Sequence, residues 1–470
     1  MIPLVGFPEL VEYYAPFFAD VFSTAAFVEF KRYISGLLIS ENKTVEGINR
    51  LCVCESRNQS SLNRMLTQSP FALESLEEKR FEVLDSVPET RMKQTGVLSV
   101  DDTLLTHYGK HFEKIAYLYD HVHSGYAWAH NLVSVHYSDD FTDYPVTYQL
   151  WEPVDPDALE AGLTAAHVKL RASKQTLKET APEKWRKYLL GVWRRNQHRP
   201  DVAKLYTSKL RIAECLLEHW TRSHPDLQLP VTFDNWYTQP GFCQFLNDIL
   251  HLAYVGTLAP SDEVILKTGT ENLKEFAARL KHEHLDGVEQ GRPPVFKPIS
   301  IPYKGQREQY FSYCATHKLP NFGKHRLVIN HTKADLSDSP VFLMSNRLYW
   351  QAPGITRIRR HRWPVEVYYE EGKAEGLDQY QLRDFAAVQR HVALIAVVYS
   401  LLRTAQYDPT LQDKLQRQLK LELEGSAPFW RRATQAQSLW SLAVFIEAGL
   451  TQGQALHTIM EPLLRAVCPA

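Results

Sequence analysis

Two short apolar runs, residues 97–100 and 227–233, are each followed at once by an aspartate, Asp101 and Asp234, and helical patterns fill the sequence between and beyond them. Runs this short, rich in β-branched residues, read as buried strands. Further strand patterns at 129–137 and 144–151 suggest a hairpin around 138–143, and 254–258, 309–314, 326–330 and 341–345 add more, with a Gly- and Pro-containing loop near 287–294. A chain that alternates strand and helix segments can bury both kinds of apolar face only in layers, so the expected fold class is α/β.

Composition supports a packed core. Hydrophobic residues at 44% against 23% charged exclude disordered, collagenous and coiled-coil classes, and 470 residues correspond to two to four domains at roughly 100 to 200 residues each. The longest apolar run, 392–402, is interrupted by Tyr399 and Ser400 and is too short for a bilayer core of roughly 30 Å, so no transmembrane helix and no membrane partner is expected. The N-terminus lacks a basic start and a small-residue cleavage site, which points to the cytoplasm. Cys52, Cys54, Cys215, Cys243, Cys314 and Cys468 show no CxxC spacing and are expected to be reduced thiols.

Residues 1–90 carry apolar positions at helical spacing, such as Phe27, Phe30, Tyr33 and Leu37, and read as an all-α domain. Within it, 43–52 and 59–66 are two short helical patterns around 53–58, the scale of a helix-turn-helix spanning 43–66. Arg57, Asn58, Gln59, Asn63 and Arg64 would line the start of its second helix, where base edges are read, although any short helical hairpin has the same pattern. The remaining segments are expected at 91–253, a mixed core; 254–350, a β-rich insertion; 351–405, a helical completion of the core; and 406–470, a further helical region.

Charge is balanced, 53 basic against 54 acidic residues, so any binding to nucleic acid must rest on local patches. One patch gathers Lys184, Arg186, Lys187, Arg194, Arg195 and Arg199 around the single acid Glu183; the other is Arg357, Arg359, Arg360, His361 and Arg362. Either alone is ordinarily a solvated helix face. Next to the second, Arg362, Glu366, Glu370 and Lys373 share one helical face, and Pro364 requires that helix to begin near 361–363.

Asp101, Asp234 and Glu366, if brought together, would repel one another unless a cation neutralised them, and hard oxygen donors suit Mg²⁺ or Mn²⁺. Two such ions can activate a hydroxyl and stabilise the leaving oxygen in a phosphodiester displacement. Arg362 and Lys373 would then neutralise phosphates of a DNA strand lying across the ions. One acid alone is usually a surface residue; three in this order with basic partners at helical spacing are more specific. His121, His123 and His130, loosely clustered near the hairpin, read as hydrogen-bonded structural residues.

Over roughly residues 10–405 the chain resembles the bacterial insertion-sequence transposases with an RNase H-like DDE catalytic core. Three blocks carry the resemblance: VLSVDDTLLTHYGK at 97–110, PVTFDNWY at 230–237 and RHRWPVEVYYEEGK at 360–373. The resemblance implies an RNase H-like mixed sheet, with Asp101, Asp234 and Glu366 as catalytic metal ligands for Mg²⁺ or Mn²⁺. The family's third block runs Tyr, two residues, Arg, three residues, Glu, six residues, Lys; Arg362, Glu366 and Lys373 fit it, whereas Arg359 replaces the tyrosine. Trp363 matches a position that handles a flipped base or strand end, and it reads equally well as a packed helix-start residue. Asp101 and Asp102 point to opposite faces of a strand; the family's Asp-x-Thr pattern favours Asp101. The implied activity is cut-and-paste transposition by an endonuclease that binds terminal inverted repeats and target DNA, works as a homodimer on DNA ends and is nucleoid-associated. A nuclease without strand transfer and a catalytically inactive DNA-binding regulator are the alternatives.

Overall fold

In a computed structural model that describes residues 2–53 and 57–468, twelve strands join in a single sheet. They are β1 (Val97–His107), β2 (Ala116–Asp120), β3 (Gly125–Ser138), β4 (Asp143–Trp151), β5 (Val231–Phe233), β6 (Tyr254–Leu258), β7 (Glu263–Leu266), β8 (Gly269–Asn272), β9 (Lys297–Tyr303), β10 (Gln306–Leu319), β11 (Gly323–His331) and β12 (Val341–Ser345). β1 pairs antiparallel with β3 and parallel with β5, which is parallel to β6; β4 lies on the far side of β3. The order β4–β3–β1–β5–β6 is that of an RNase H-like sheet. The α/β expectation therefore holds, and the 138–143 hairpin turn falls between β3 and β4.

Two expected boundaries move. β6 was placed with the insertion by its sequence position, yet its parallel ladder to β5 makes it the last strand of the core. The β-rich segment beyond it is not a separate layer: β12 pairs with β6, and β11 and β10 continue the same sheet. It also holds a helix, Leu273–Glu289, whose Leu273, Phe276, Ala277 and Leu280 join the sheet's core. Lys304, at the turn between β9 and β10, donates to buried Asp143 at 2.9 Å, which also accepts from Tyr399 at 2.6 Å and Arg403 at 3.2 Å. Burial alone would raise the Asp143 carboxyl, but Arg403, Lys304 and His136 hold it well below the usual carboxylate range. The insertion is thereby tied to the core by charge.

The apolar run near 392–402 becomes the middle of a 21-residue helix, Phe385–Ala405, buried on nearly every side. By length and composition this helix could cross a membrane, but 78% of its apolar window is buried inside the protein. Helices Thr24–Ile39 and Leu73–Asp85, the C-terminal helix Ala427–Thr451 and the sheet residues Leu105, Leu132 and Leu150 share one core with it. Residues from 1–90, from the helical completion of the core at 351–405 and from 406–470 thus share one core, because a helix apolar all round needs cover from every direction. Arg80, fully buried, donates to Ser400 of the central helix at 3.1 Å.

Helices Val45–Leu51 and Gln59–Thr67 form at the expected helix-turn-helix. Part of its turn, residues 54–56, and with it Cys54, lies outside the described residues. Asn58 caps the second helix by accepting from the Ser60 N–H at 3.0 Å. Asn63 and Arg64 are exposed on it, whereas Arg57 pairs with Glu29 at 3.1 Å.

Histidines are built into this core as neutral groups. His391 Nδ1 lies 2.8 Å from the Tyr33 hydroxyl and Nε2 donates to the Gly376 carbonyl at 2.9 Å, so the buried neutral ring is satisfied on both sides. Burial pushes His391 down to about 4, against about 6.5 in an unfolded chain. Below pH 6.5 the unfolded chain binds a proton that the folded one refuses, so this group's contribution is complete above that value and falls as pH drops toward 4. Relative to His391→Gln, the wild type should lose up to about 1.4 kcal/mol per pH unit across that window. Urea unfolding of both proteins at several pH values checks this; a constant difference between them would refute it.

Candidate active site

β1 and β5 run parallel side by side, with Val100 opposite Phe233, so Asp234 leaves the carboxyl edge of β5 level with Asp101; β1 does not end there as expected but runs on to His107, paired with β3. In α/β sheets this carboxyl edge is where ligands bind. The third acid arrives by another route. Helix Ala352–Arg360 ends at a bend, and a second helix, Trp363–Ala374, starts with Pro364 in its first turn, where the missing N–H costs nothing. The bend lays Arg362, and with it Glu366, against β1 at Asp101, and Tyr369 on the same helix donates to the Asp101 carbonyl at 3.0 Å.

Arg362 is the hub. One guanidinium nitrogen donates to Asp101 Oδ2 at 2.7 Å and the other to Glu366. Asp101 is largely buried, and that burial, opposed by Arg362 and reinforced by the negative charges of Asp234 and Asp102, pushes its carboxyl up to about 7. Arg359, which stands where the tyrosine was expected, reaches the same place: burial and repulsion from Arg362 lower it to about 10, against attraction from Glu366, Asp234 and Asp101. All three predicted acids therefore act on one guanidinium. Nε atoms of Arg359 and Arg362 are buried without hydrogen-bond partners among the described residues.

Asp102 faces the other way. It accepts from Asn131 at 2.6 Å, Lys209 at 2.8 Å and Tyr237 at 2.9 Å, which leaves it fully engaged. Glu370 is exposed and Glu371 pairs with Arg403 at 3.1 Å, so neither competes with Glu366. Trp363 is exposed, as is Trp236 two residues after Asp234, and Lys209 lies 4.3 Å over the Trp236 ring. Arg359, Lys209, Trp236 and Tyr369 were not anticipated as site residues. Trp236 and Tyr369 fall inside the quoted sequence blocks, but Lys209 has no local pattern to reveal it.

Two expectations change. Arg362 was expected to meet phosphates, but its terminal nitrogens are taken by Asp101 and Glu366. The three carboxylates were expected close enough to share ions; among the described residues no group of three His, Cys, Asp or Glu side chains stands ready to hold a metal. Arg362 satisfies two of them, and Asp234 Oδ1 accepts from the backbone N–H groups of Trp236 and Tyr237 at 3.0 and 3.2 Å. The set still fits a divalent ion chemically: hard oxygens, a largely buried carboxyl short of positive charge, and a guanidinium lying between two of the donors. Lys373 makes no ion pair among the described residues. His130, by contrast, is bound to Tyr380 at 2.6 Å and the Glu113 carbonyl at 2.8 Å, and His123 to Asp120 at 2.8 Å.

The family described as DDE superfamily endonuclease matches residues 16–271, just over half of the chain. That span includes Asp101 and Asp234 and ends before Glu366, so the third acid is carried by geometry. No curated protein matches the chain.

Repulsion at this edge has a measurable consequence. Asp234→Asn keeps an acceptor for the two backbone N–H groups but removes the charge that acts on Asp101, so the melting temperature without metal should stay level or rise. Mn²⁺ titrated into the wild type should raise it by a few degrees, and the variant should lose that increment. A variant that melts lower without metal yet keeps the Mn²⁺ increment would make Asp234 merely structural.

Proposed function

We propose, on the premise that this chain belongs to the DDE superfamily of endonucleases, which cut DNA with divalent metal ions, that it is a transposase of the insertion-sequence type. The observation that supports this most is that Asp101 and Glu366 share the Arg362 guanidinium while Asp234 stands level with Asp101 at the end of the adjacent parallel strand. Such an enzyme binds the terminal inverted repeats of its element, cuts at their ends and joins the freed 3′ ends to target DNA, with Mg²⁺ as its natural ion. Two copies would act together, one on each end.

Asp101, Asp234 and Glu366 would hold the ions. Bound there, divalent metal supplies a Lewis acid for the phosphoryl oxygens and lowers the cost of deprotonating the attacking hydroxyl. Protein groups do the positioning. Arg359, with a buried donor to spare, is placed to bind a non-bridging phosphate oxygen in the dry part of the site, where a charge-assisted bond is strongest. Arg362 orients Glu366 and Asp101, and Lys373, one face along the same helix, remains free for the strand backbone. Trp236 and Trp363 present exposed rings beside the acids, suited to stacking an unpaired base at a cut end. Asn63 and Arg64, exposed on the second short helix, would read base edges, and Arg57, paired with Glu29, would flank them in sequence.

A plasmid carrying the DNA that flanks the gene provides the test. With Mg²⁺, the wild type should cut at the element's ends and yield products joined to a second plasmid. Asp234→Asn should reduce cleavage by about three orders of magnitude or more while duplex affinity stays within about twofold. Arg362→Ala should reduce cleavage more than binding. Cleavage without joined products would favour a nuclease, and binding without cleavage a regulator.

A further inference from the structure

Between β4 and the helix Lys209–Ser223, residues 152–208 leave the sheet and build a small helical body with its own core of Leu159, Leu163, Trp185, Leu189, Val192 and Val202. Both ends of this body are fixed at the carboxylate edge. Trp151, its entry, pairs with Asn131, whose amide donates to Asp102; Lys209, its exit, donates to the same Asp102 oxygen. Trp151 Nε1 donates across the neck to the Tyr206 hydroxyl at 2.9 Å. The body thus hangs from the end of the sheet that carries the candidate active site.

Eleven Lys and Arg stand against seven Asp and Glu in this segment, and their placement is more telling than their number. On the helix Pro182–Asn196, Trp185, Leu189, Val192 and Trp193 are buried. At 100° per residue, Lys184, Lys187, Arg194 and Arg195 fall in an arc of about 100° on the opposite side. All four are exposed, and none makes an ion pair among the described residues. Arg186 and Arg199, off that arc, pair with Glu183 and Asp201.

Gly191 lies in the middle of the cationic arc. A glycine inside a helix costs about 1 kcal/mol relative to alanine, and here a Cβ would meet only the end of the Arg195 side chain, at 3.6 Å. Packing within the protein therefore does not require it. A missing side chain among four cations lets the helix surface come close to a bulky polyanion.

We infer that this helix is a docking surface for the phosphate backbone of duplex DNA that leads into the active site. It spans about 16 Å from Lys184 to Arg195, enough to meet several successive phosphates. The inference rests on the reading of the chain as a DNA-cutting enzyme and adds where the substrate's flanking duplex lies.

The test uses the full chain and a fluorescent duplex of mixed sequence, about 40 base pairs long, with affinity followed from about 50 to 200 mM salt. The variant K184Q/K187Q/R194Q/R195Q should lower the slope of log affinity against log salt by about three to four and weaken binding at least tenfold near 100 mM. Its melting temperature should match the wild type, since all four side chains are solvated. A matched variant, K267Q/K274Q/R292Q/K333Q, removes four exposed cations elsewhere and should leave the slope within about one of the wild type. An unchanged slope in the first variant, or equal losses in both, overturns the docking surface. A wild type that binds no duplex at all would overturn the functional reading as well.

Discussion

Carboxylates side by side on adjacent parallel strands repel, and the charges gathered around Asp101 and Asp234 answer that repulsion. The ladder between β1 and β5 fixes where both acids emerge, and Asp102 adds a third charge one residue away. Positive groups come from three separate places: Arg359 and Arg362 from either side of a helix bend, and Lys209 from the start of another helix. Asp102 is neutralised by Lys209 and two neutral donors, and Asp101 by Arg362, which also takes Glu366. Burial, with the charges of Asp234 and Asp102, nonetheless keeps the Asp101 carboxyl raised to about 7 against the pull of Arg362. A group of hard oxygen donors beside a spare guanidinium is what binding both a divalent ion and a phosphate requires.

Such a site needs a frame that does not relax, because removing strain would separate the charges. The central helix supplies it. Tyr399 and Arg403 reach from that helix to Asp143 at the start of β4, where Lys304 of the insertion also arrives. One buried acid thus ties the core sheet, the extended sheet and the central helix together. Taking away both cations would leave the Asp143 charge buried without compensation, a far larger cost than the net worth of the pairs. N- and C-terminal helices complete the cover, so the short helices around residues 45–67 sit on the same body as the acids.

Much of this was legible in the sequence because it is local. The strand run that ends before Asp234, the first residues of the strand that carries Asp101, the hairpin across 138–143 and the proline-limited start of the Glu366 helix are short-range patterns with direct physical causes, whereas the continuation of β1 to His107 was not anticipated. What escaped is long-range. Nothing around residue 254 distinguishes a core strand from an insertion strand; the difference is its ladder partner. Helical periodicity in 1–90 marks a buried face but not what covers it, and the answer lies some 300 residues away on the central helix. Lys209 and Arg359 illustrate the same limit within the site, since their partners are acids on other elements.

The two basic runs make the point in terms of charge. In sequence they look alike, and the one at 357–362 contains no acid. In the fold three of its four arginines are spoken for: Arg357 pairs with Asp140 at 2.9 Å, Arg360 with Glu308 at 3.0 Å while stacking 4.1 Å over Tyr303, and Arg362 with Asp101 and Glu366, while Arg359 is buried beside the acids. The run at 184–195 pairs Arg186 with Glu183 and keeps Lys184, Lys187, Arg194 and Arg195 in water. A chain with a net charge of −1 has no long-range attraction for a polyanion to draw on. It can hold one only by sorting its cations, spending some on internal acids to shape chemistry and leaving others unpaired on one helix face, where counterion release from DNA gives each of them an effect that a surface ion pair would cancel.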